Sequence, residues 1–569
     1  MTGARPARGP ATPGAAAARR PALPVLATAV RNGAALARNA LLGAWPGPRP
    51  RWVVLELTGA YPERTPPRRL VSLESLAAGR RDASLAELAA TVDALCRADW
   101  LEGALLRVHE LRVDLAAAYA LREQVGRLRA AGKRTLVVAA ALDTTAYYVA
   151  AAADEVVVPE SAELWVHGNA LGATFLADAL AKAGVRFEKH AIREYKNAGD
   201  QFALPAMSEA QRRQYDALLD SVERTFASAV AAGRGRAPEE VRSWVEEGVT
   251  SAARALALGM VDRVAYEDEV VSRDHAPAAR AVALVPGRTR PPGGRVAVVS
   301  LEGAIVTGRS RRSPVPLPLF GAAMAGSETL VRALRTAAKD PRTKAVVLHV
   351  DSGGGSALAS DLIWREVSLL ARRLPVVAVM GELAASGGYY VLTHATRVVA
   401  APTTITGSIG VVAGKFVLEE FNRRHGVNPE VLRRGRFATL MRSADGWDDA
   451  ERSLIERYVS EVYERFVARV ADGRGLSRER VDEVGRGRVW TGADALEVGL
   501  VDELGDVQRA LALAKELAGL RDDAEVWDVP TPQRPVLPVG GSPEAALHAV
   551  APLLSERALL VHGARLRLG

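Results

Sequence analysis

The sequence predicts an α/β protein built from two tandem repeats, and three observations carry that expectation. From residue 51 onward, β-branched runs such as Trp52-Val53-Val54-Leu55 alternate with Ala/Leu/Arg stretches of helical period, as layered helices and sheets require. The chain then repeats itself: Tyr147-Tyr148 in TTAYYVAAAADEVVV returns as Tyr389-Tyr390 in SGGYYVLTHATRVVA, 242 residues later. RWVVLELTGA (51–60) matches RVAVVSLEGA (295–304), and Gly259-Met260-Val261-Asp262 matches Gly499-Leu500-Val501-Asp502, at nearly the same offset. A period this long excludes a solenoid. The 569 residues, enough for about three or four average domains, resolve instead into two large halves with a leader and a tail.

Residues 1–50 are rich in Ala, Arg, Pro and Gly, with one helix expected over Val25 to Trp45. Arg31, Asn32, Arg38 and Asn39 fall on one face of it, and Val30, Ala34, Ala37, Leu41 and Trp45 on the other, a basic amphipathic pattern suited to an anionic membrane surface. A leader helix that packs on the body or frays is the other reading. Nowhere does the chain run about 18 uncharged apolar residues, so no spanning helix is expected, and the basic start has no h-region of a cleaved signal behind it. Residues 51–275 form the first α/β repeat, 276–294 a Pro/Gly/Arg linker and 295–528 the second repeat. Residues 529–569 are a Pro-containing tail ending in an Ala/Leu helix pattern.

The composition is that of ordinary globular protein, at 49% hydrophobic and 25% charged residues. A single cysteine, Cys96, excludes an intrachain disulfide and a multi-thiolate zinc site. The net charge of +8 is spread along the chain, without the basic stripe and interleaved aromatics of a nucleic-acid surface, so no nucleic-acid partner is expected. Only 8 of the 74 cationic residues are lysines. Arginine replaces lysine wherever a fixed charge suffices, but only lysine can lose its proton and act as a base.

Two junctions in the second half combine a strand, a turn of small residues and a helix: 345–350 into Asp351-Ser352-Gly353-Gly354-Gly355-Ser356, and 376–380 into Ala384-Ala385-Ser386-Gly387-Gly388. Unpaired amides at such turns can hold an oxyanion or a phosphate; no GxxxxGK[ST] or GxGxxG supports the phosphate reading. Ser386 reads as a nucleophile with an exposed hydroxyl, or as a helix N-cap. Its first glycine missing at Ala384, the turn does not match GxSxG. His394, two helical turns on, reads as a surface or packing residue. The other base candidate is Lys196 in Arg193-Glu194-Tyr195-Lys196-Asn197-Ala198, which serves only if burial lowers its pKa; otherwise it is a solvated loop lysine.

These residues resemble the long form of the signal peptide peptidase A family, over roughly residues 51 to 528. The matching stretches are HGNALGATFLADALAKAGVRFEKHAIREYKNAGDQF in the first half, and HVDSGGGSALAS, ELAASGGYYVLTHATRVVAAPTTITGSIGVV and GRVWTGADALEVGLVDELG in the second. The resemblance implies a ClpP/crotonase-type fold and a Ser-Lys peptidase. It implies Ser386 as nucleophile, Lys196 as general base, an oxyanion hole from amides near Gly354, Gly355 and Gly387, and Ser408 as a supporting hydroxyl. It implies no cofactor and no metal, peptide substrates such as signal-peptide remnants, a homo-oligomer, tetrameric in the family, and a place at the bacterial cell membrane, here peripheral through the N-terminus. Two departures stand out: Gly353 replaces the usual proline of the glycine turn, predicting a looser loop, and Asn197-Ala198-Gly199-Asp200-Gln201 follows the lysine, predicting different local packing.

Sliding the chain by 242 sets Thr144 opposite Ser386 and Ala438 opposite Lys196. Each half keeps one of the two positions, so one site formed between the halves is expected, with Thr144 a relic. Two rival readings remain at this stage: acyl-CoA chemistry on the same kind of oxyanion hole, and a membrane-bound scaffold whose site has decayed at Gly353 and Asn197.

Overall fold

The computed structural model describes residues 22–44, 47–64, 83–270, 275–289, 293–317, 321–535 and 559–561. The chain divides into two compact units, one of residues up to Gly47 with Pro286–Gly293, the other of Pro48–Val285 with Gly294–Gly569. In the smaller unit a helix runs Ala22–Gly43, and Asn39 both donates to the Gly287 carbonyl (2.9 Å) and accepts from the Gly287 amide (2.8 Å). Val30, Ala34, Ala37 and Leu41 on its opposite face are exposed; Trp45 lies outside the described residues. No helix among the described residues is long and apolar enough to cross a membrane.

In the larger unit the first repeat contributes β1 (Trp52–Gly59), β2 (Gly103–Leu111), β3 (Arg134–Val138), β4 (Ala141–Asp143), β5 (Glu155–Val158), β6 (Glu163–Trp165), β7 (Arg186–Ala191), β8 (Arg263–Val264) and β9 (His275–Pro277). The second contributes β10 (Arg295–Glu302), β11 (Ala304–Val306), β12 (Arg311–Leu317), β13 (Gly321–Gly326), β14 (Thr343–Ser352), β15 (Gly354–Ser356), β16 (Val376–Ala385), β17 (Arg397–Ala400), β18 (Ile405–Gly407), β19 (Val412–Val417), β20 (Val489–Thr491), β21 (Glu503–Leu504) and β22 (Glu525–Asp528). Two tail strands follow, β23 (Arg534–Pro535) and β24 (Leu559–Val561). The runs buried on both faces, such as Val346-Val347-Leu348, form the parallel centres of the sheets.

The repeat survives in three dimensions. The order β8-β5-β3-β2-β1-β9 in the first half is matched by β21-β17-β16-β14-β10-β22 in the second. Pairing of β4 with β6 (Ala141↔Glu163) is the image of β16 with β18 (Leu383↔Ile405), both shifted by 242. Matched side chains do matched work: the Tyr147 hydroxyl donates to the Met260 carbonyl (2.8 Å) as that of Tyr389 does to Leu500 (2.9 Å). Asp262 accepts from the Val156 amide as Asp502 accepts from Val398, each at 2.7 Å.

The structure departs from the sequence reading at the domain edges. Residues 276–284, expected as linker, lie in β9, which pairs with β1, and in a helix Ala278–Leu284 whose Ala278 and Ala281 enter the first core. The alanines complete that core in a stretch where the prolines and arginines had masked them. Most of the tail lies outside the described residues, but Leu559–Val561, expected in a helical pattern, is a strand because its backbone finds partners on both sides. A third sheet, β23-β12-β13-β11-β15-β24-β19-β7, takes its last strand from the first repeat and so joins the two.

Candidate active site

The two residues 190 positions apart meet. Lys196 Nζ lies 2.6 Å from Ser386 Oγ, 3.1 Å from Ser408 Oγ and 3.2 Å from the Ser408 carbonyl oxygen. Both members are enclosed, Lys196 at 2% exposure and Ser386 at 0%. The expectation of an exposed serine hydroxyl is therefore corrected: the lysine loop and the Gly410 carbonyl, 3.5 Å from Ser386 Oγ, close over it.

Each residue is placed by backbone geometry. Ser386 follows β16 and precedes helix Gly387–Leu392 with φ 56° and ψ −114°, a conformation that L-residues avoid and that costs on the order of 1–3 kcal/mol. It stands at the N-cap position, yet its side chain makes no capping bond, which leaves the hydroxyl to Lys196. The Ser386 amide donates to Gly407 (2.8 Å), and the helix continues from its carbonyl to the Tyr390 amide (2.8 Å), so the strained turn is held from both sides. Ser408 is also strained, at φ 51°, with its amide on the Arg488 carbonyl (2.7 Å). In the first repeat the equivalent turn is relaxed: Asp143 caps helix Thr144–Ala150 by accepting from the Ala146 amide (2.7 Å), and buried Thr144 donates to Gly168 (3.2 Å). Thr144 thus occupies the position equivalent to Ser386 without its strained backbone.

Lys196 arrives on a loop that follows β7, which pairs antiparallel with β19 of the second repeat. Its stem runs through a slot between two glycines that sequence reasoning had not singled out. A Cβ on Gly487 would fall 2.5 Å from the Lys196 amide nitrogen, and one on Gly410 would fall 3.1 Å from Lys196 Cδ. Gly487 has φ +84° and its amide donates to the Ile409 carbonyl (2.7 Å). Both glycines lie in stretches that carried the family resemblance, and that was the only signal for them.

Burial, and secondarily the charge of Lys189, hold the Lys196 amine well below the ordinary lysine value of 10.5. Lys189 was also unforeseen; it is ion-paired with buried Asp200, while Asn197 bridges Asp200 (2.9 Å) and Gln214 (3.3 Å). The departure at Asn197 is thus an ordered polar network that fixes the loop.

The glycine turn lies beside the serine. A Cβ on Gly387 would fall 3.2 Å from both Gly354 Cα and Gly355 N, which brings the three backbones together. The Gly354 amide donates to Ser352 Oγ (3.1 Å), whose hydroxyl donates to the Gly303 carbonyl (2.7 Å), and Gly355 pairs with Ile305. On the outer edge, β24 lies antiparallel to β15, with Gly354↔Val561, Gly355↔Leu560 and Ser356↔Leu559, and Leu559 also meets Val412 of β19. His394 takes no part: its Nδ1 accepts from the Trp364 indole N–H (2.9 Å), and burial lowers its pKa. No group of three or more potential metal ligands occurs among the described residues.

The sequence pattern of peptidase family S49 matches this chain twice, over residues 127–280 and 368–521. The chain is 31% identical over 439 residues to the chloroplastic serine protease SPPA of Arabidopsis thaliana, covering 74% of this chain and 64% of that one. It is 30% identical to Protease 4 of Salmonella typhi, covering 71% and 66%, and 36% identical to Protease 4 of Haemophilus influenzae, covering 41% and 36%. In each case the match spans less than two thirds of the relative's length.

Proposed function

The chain belongs to peptidase family S49, and on that premise we propose that it is a serine peptidase in which Ser386 is the nucleophile and Lys196 the general base, acting on extended peptides such as signal-peptide remnants. The observation that carries the reading is the 2.6 Å approach of a buried lysine amine to a buried serine on a strained turn. A neutral amine has one lone pair and two protons. The lone pair receives the Ser386 hydroxyl, and the two N–H groups reach the Ser408 carbonyl and hydroxyl.

In the reaction, Nζ takes the hydroxyl proton as Oγ attacks the peptide carbonyl carbon. The oxyanion is received by amides of the Gly354, Gly355 and Gly387 backbones, with Ser352 Oγ yielding its hold on the Gly354 amide. The lysine ammonium then protonates the leaving amine, and the neutral amine activates the water that releases the acyl group. An acyl-CoA reading gives the buried lysine no task, and a decayed scaffold has no reason to keep a strained Ser386 against it. Purified protein should cleave an unfolded polypeptide, with Ser386→Ala slowing turnover by ~10⁴-fold or more while the fold is unchanged. Undiminished cleavage by that variant would overturn the reading.

The peptide class is supported by what β24 does: an extended segment fits between β15 and β19 by strand pairing alone. A tethered strand in that groove competes with substrate at high effective concentration. Leu560→Pro, which disfavours the strand, is expected to lower KM several-fold with kcat unchanged, in initial-rate measurements on the full chain. The exposed Val30–Leu41 face of the leader helix, with Arg31 and Arg38 beside it, fits peripheral association with an anionic membrane, and a homo-oligomer completes the reading.

A further inference from the structure

We infer that Gln214 is a positioning residue for the reaction, its carboxamide tying the loop that carries Lys196 to the backbone that anchors Ser386 and Ser408. The inference rests on the proposed Ser386–Lys196 pair and adds what holds its two members at reacting distance across the repeats.

Gln214 stands early in helix Glu209–Arg234 of the first repeat and is buried, at 2% exposure. Its Oε1 accepts from the Val489 amide (2.9 Å), and its Nε2 donates to Asn197 Oδ1 (3.3 Å). Val489 is the residue of β20 that pairs with Gly407 of β18. The anchors of the site lie at this pairing: the Gly407 carbonyl accepts from the Ser386 amide (2.8 Å), and the Arg488 carbonyl accepts from the Ser408 amide (2.7 Å). Asn197 follows Lys196 directly in the chain. One side chain therefore holds the nucleophile's side of the site with one atom and the base's side with another.

The direction of these bonds follows from their ends. A backbone N–H only donates and an ionised carboxylate only accepts, so hydrogen bonds pass one way, from Val489 through Gln214 and Asn197 to Asp200. Asp200, 4% exposed, is ion-paired with Lys189, whose Nζ also lies 3.4 Å from the Lys196 carbonyl oxygen. A chain of bonds that ends on a buried charge polarises along its length, and removing a link leaves buried polar groups unpaired on both sides of the gap.

The internal repeat shows that the carboxamide is not needed to build the helix. Its image, helix Asp449–Arg474, has the same length and ends on the same left-handed glycine, Gly475 for Gly235. Leu454 stands there in place of Gln214, and Ala438 in place of Lys196, so the polar group accompanies the lysine and not the fold. The rest of the helix face docks without it: Leu218 packs with Val489 and Ile405, and Ser221 Oγ lies 2.7 Å from Thr491 Oγ1. Removing the carboxamide thus leaves the helix seated and frees the loop.

The test measures cleavage of an unfolded polypeptide by the full chain, with Ser386→Ala alongside. Gln214→Leu should lose ~10-fold or more in kcat with KM within about twofold, because base and nucleophile lose their alignment. Its kcat profile should also shift toward alkaline pH, as the freed loop lets water reach the amine. Ser221→Ala should lower the melting temperature and keep the wild-type kcat, which separates positioning from stability. Gln214→Glu gives a second readout should the leucine variant fold poorly. Protonated, its carboxyl both donates to Asn197 and accepts from Val489; ionised, it cannot donate. Its kcat relative to wild type should therefore fall as pH rises from 5 to 10. Wild-type kcat in Gln214→Leu, or a flat ratio in Gln214→Glu, overturns the inference while an inactive Ser386→Ala leaves the Ser386–Lys196 pair standing. An active Ser386→Ala overturns the pair itself.

Discussion

Replacing Lys196 by methionine is expected to abolish turnover, by ~10³-fold or more in kcat, while making the protein more resistant to denaturation. The loss follows because, among the described residues, Lys196 is the one base that meets Ser386 Oγ: the hydroxyl's other neighbour is a carbonyl oxygen, and His394 is bound to Trp364. The gain follows from linkage. The folded-state pKa of Lys196 lies well below 10.5, so between that value and 10.5 the unfolded chain holds a proton that the folded chain does not. Stability therefore rises with pH across that window, and at neutral pH the buried amine is a net cost. Methionine keeps the stem, removes the cost and flattens the slope. Urea denaturation of wild type and Lys196→Met at several pH values checks the sign, and Lys196→Arg, which cannot deprotonate, should be as inactive as methionine.

Gly487→Ala is expected to cost at least ~100-fold in kcat with little change in KM, although residue 487 touches no substrate. The added methyl group would fall 2.5 Å from the Lys196 amide nitrogen, and backbone cannot yield as a flexible side-chain tip can. The lysine loop must move, and a shift of about 1 Å in a catalytic group is enough for such a loss. Gly475→Ala is the control. It carries a comparable backbone strain, at φ +65°, but its Cβ meets nothing within 4 Å. It should cost about 1 kcal/mol of stability and leave kcat intact. Steady-state kinetics of the two variants separate strain from displacement.

The repeat was legible in the sequence because the matched residues do matched structural work. Tyr147 and Tyr389 each hold a carbonyl, Asp262 and Asp502 each hold an amide, and such pairs tolerate little change. Lys196 and Ser386 stood out as candidates through the family resemblance, and the repeat, in which each half keeps one of the two positions, led to the expectation of a site shared between the halves. The slot for the lysine was not legible. Gly410 and Gly487 meet Lys196 across some 200 to 300 residues of chain, and neither periodicity nor composition records a contact at that range. The strain at Ser386 was hidden as well, since a serine before two glycines reads equally well as an ordinary cap. Residues 276–284 were read as linker because Pro277 and the arginines around it speak for a loop, whereas the pairing of β9 with β1 draws them into the first repeat.

The central claim is that a neutral Lys196 activates Ser386, and the most direct measurement is the rate at which a serine-directed acylating probe modifies Ser386 between pH 5 and 10, read by peptide mass spectrometry. The structure predicts modification at Ser386 alone, with a rate that rises through a single apparent pKa far below 10.5 and falls by ~100-fold or more in Lys196→Met. A rate that climbs only near pH 10, or one that is the same in Lys196→Met, would contradict it.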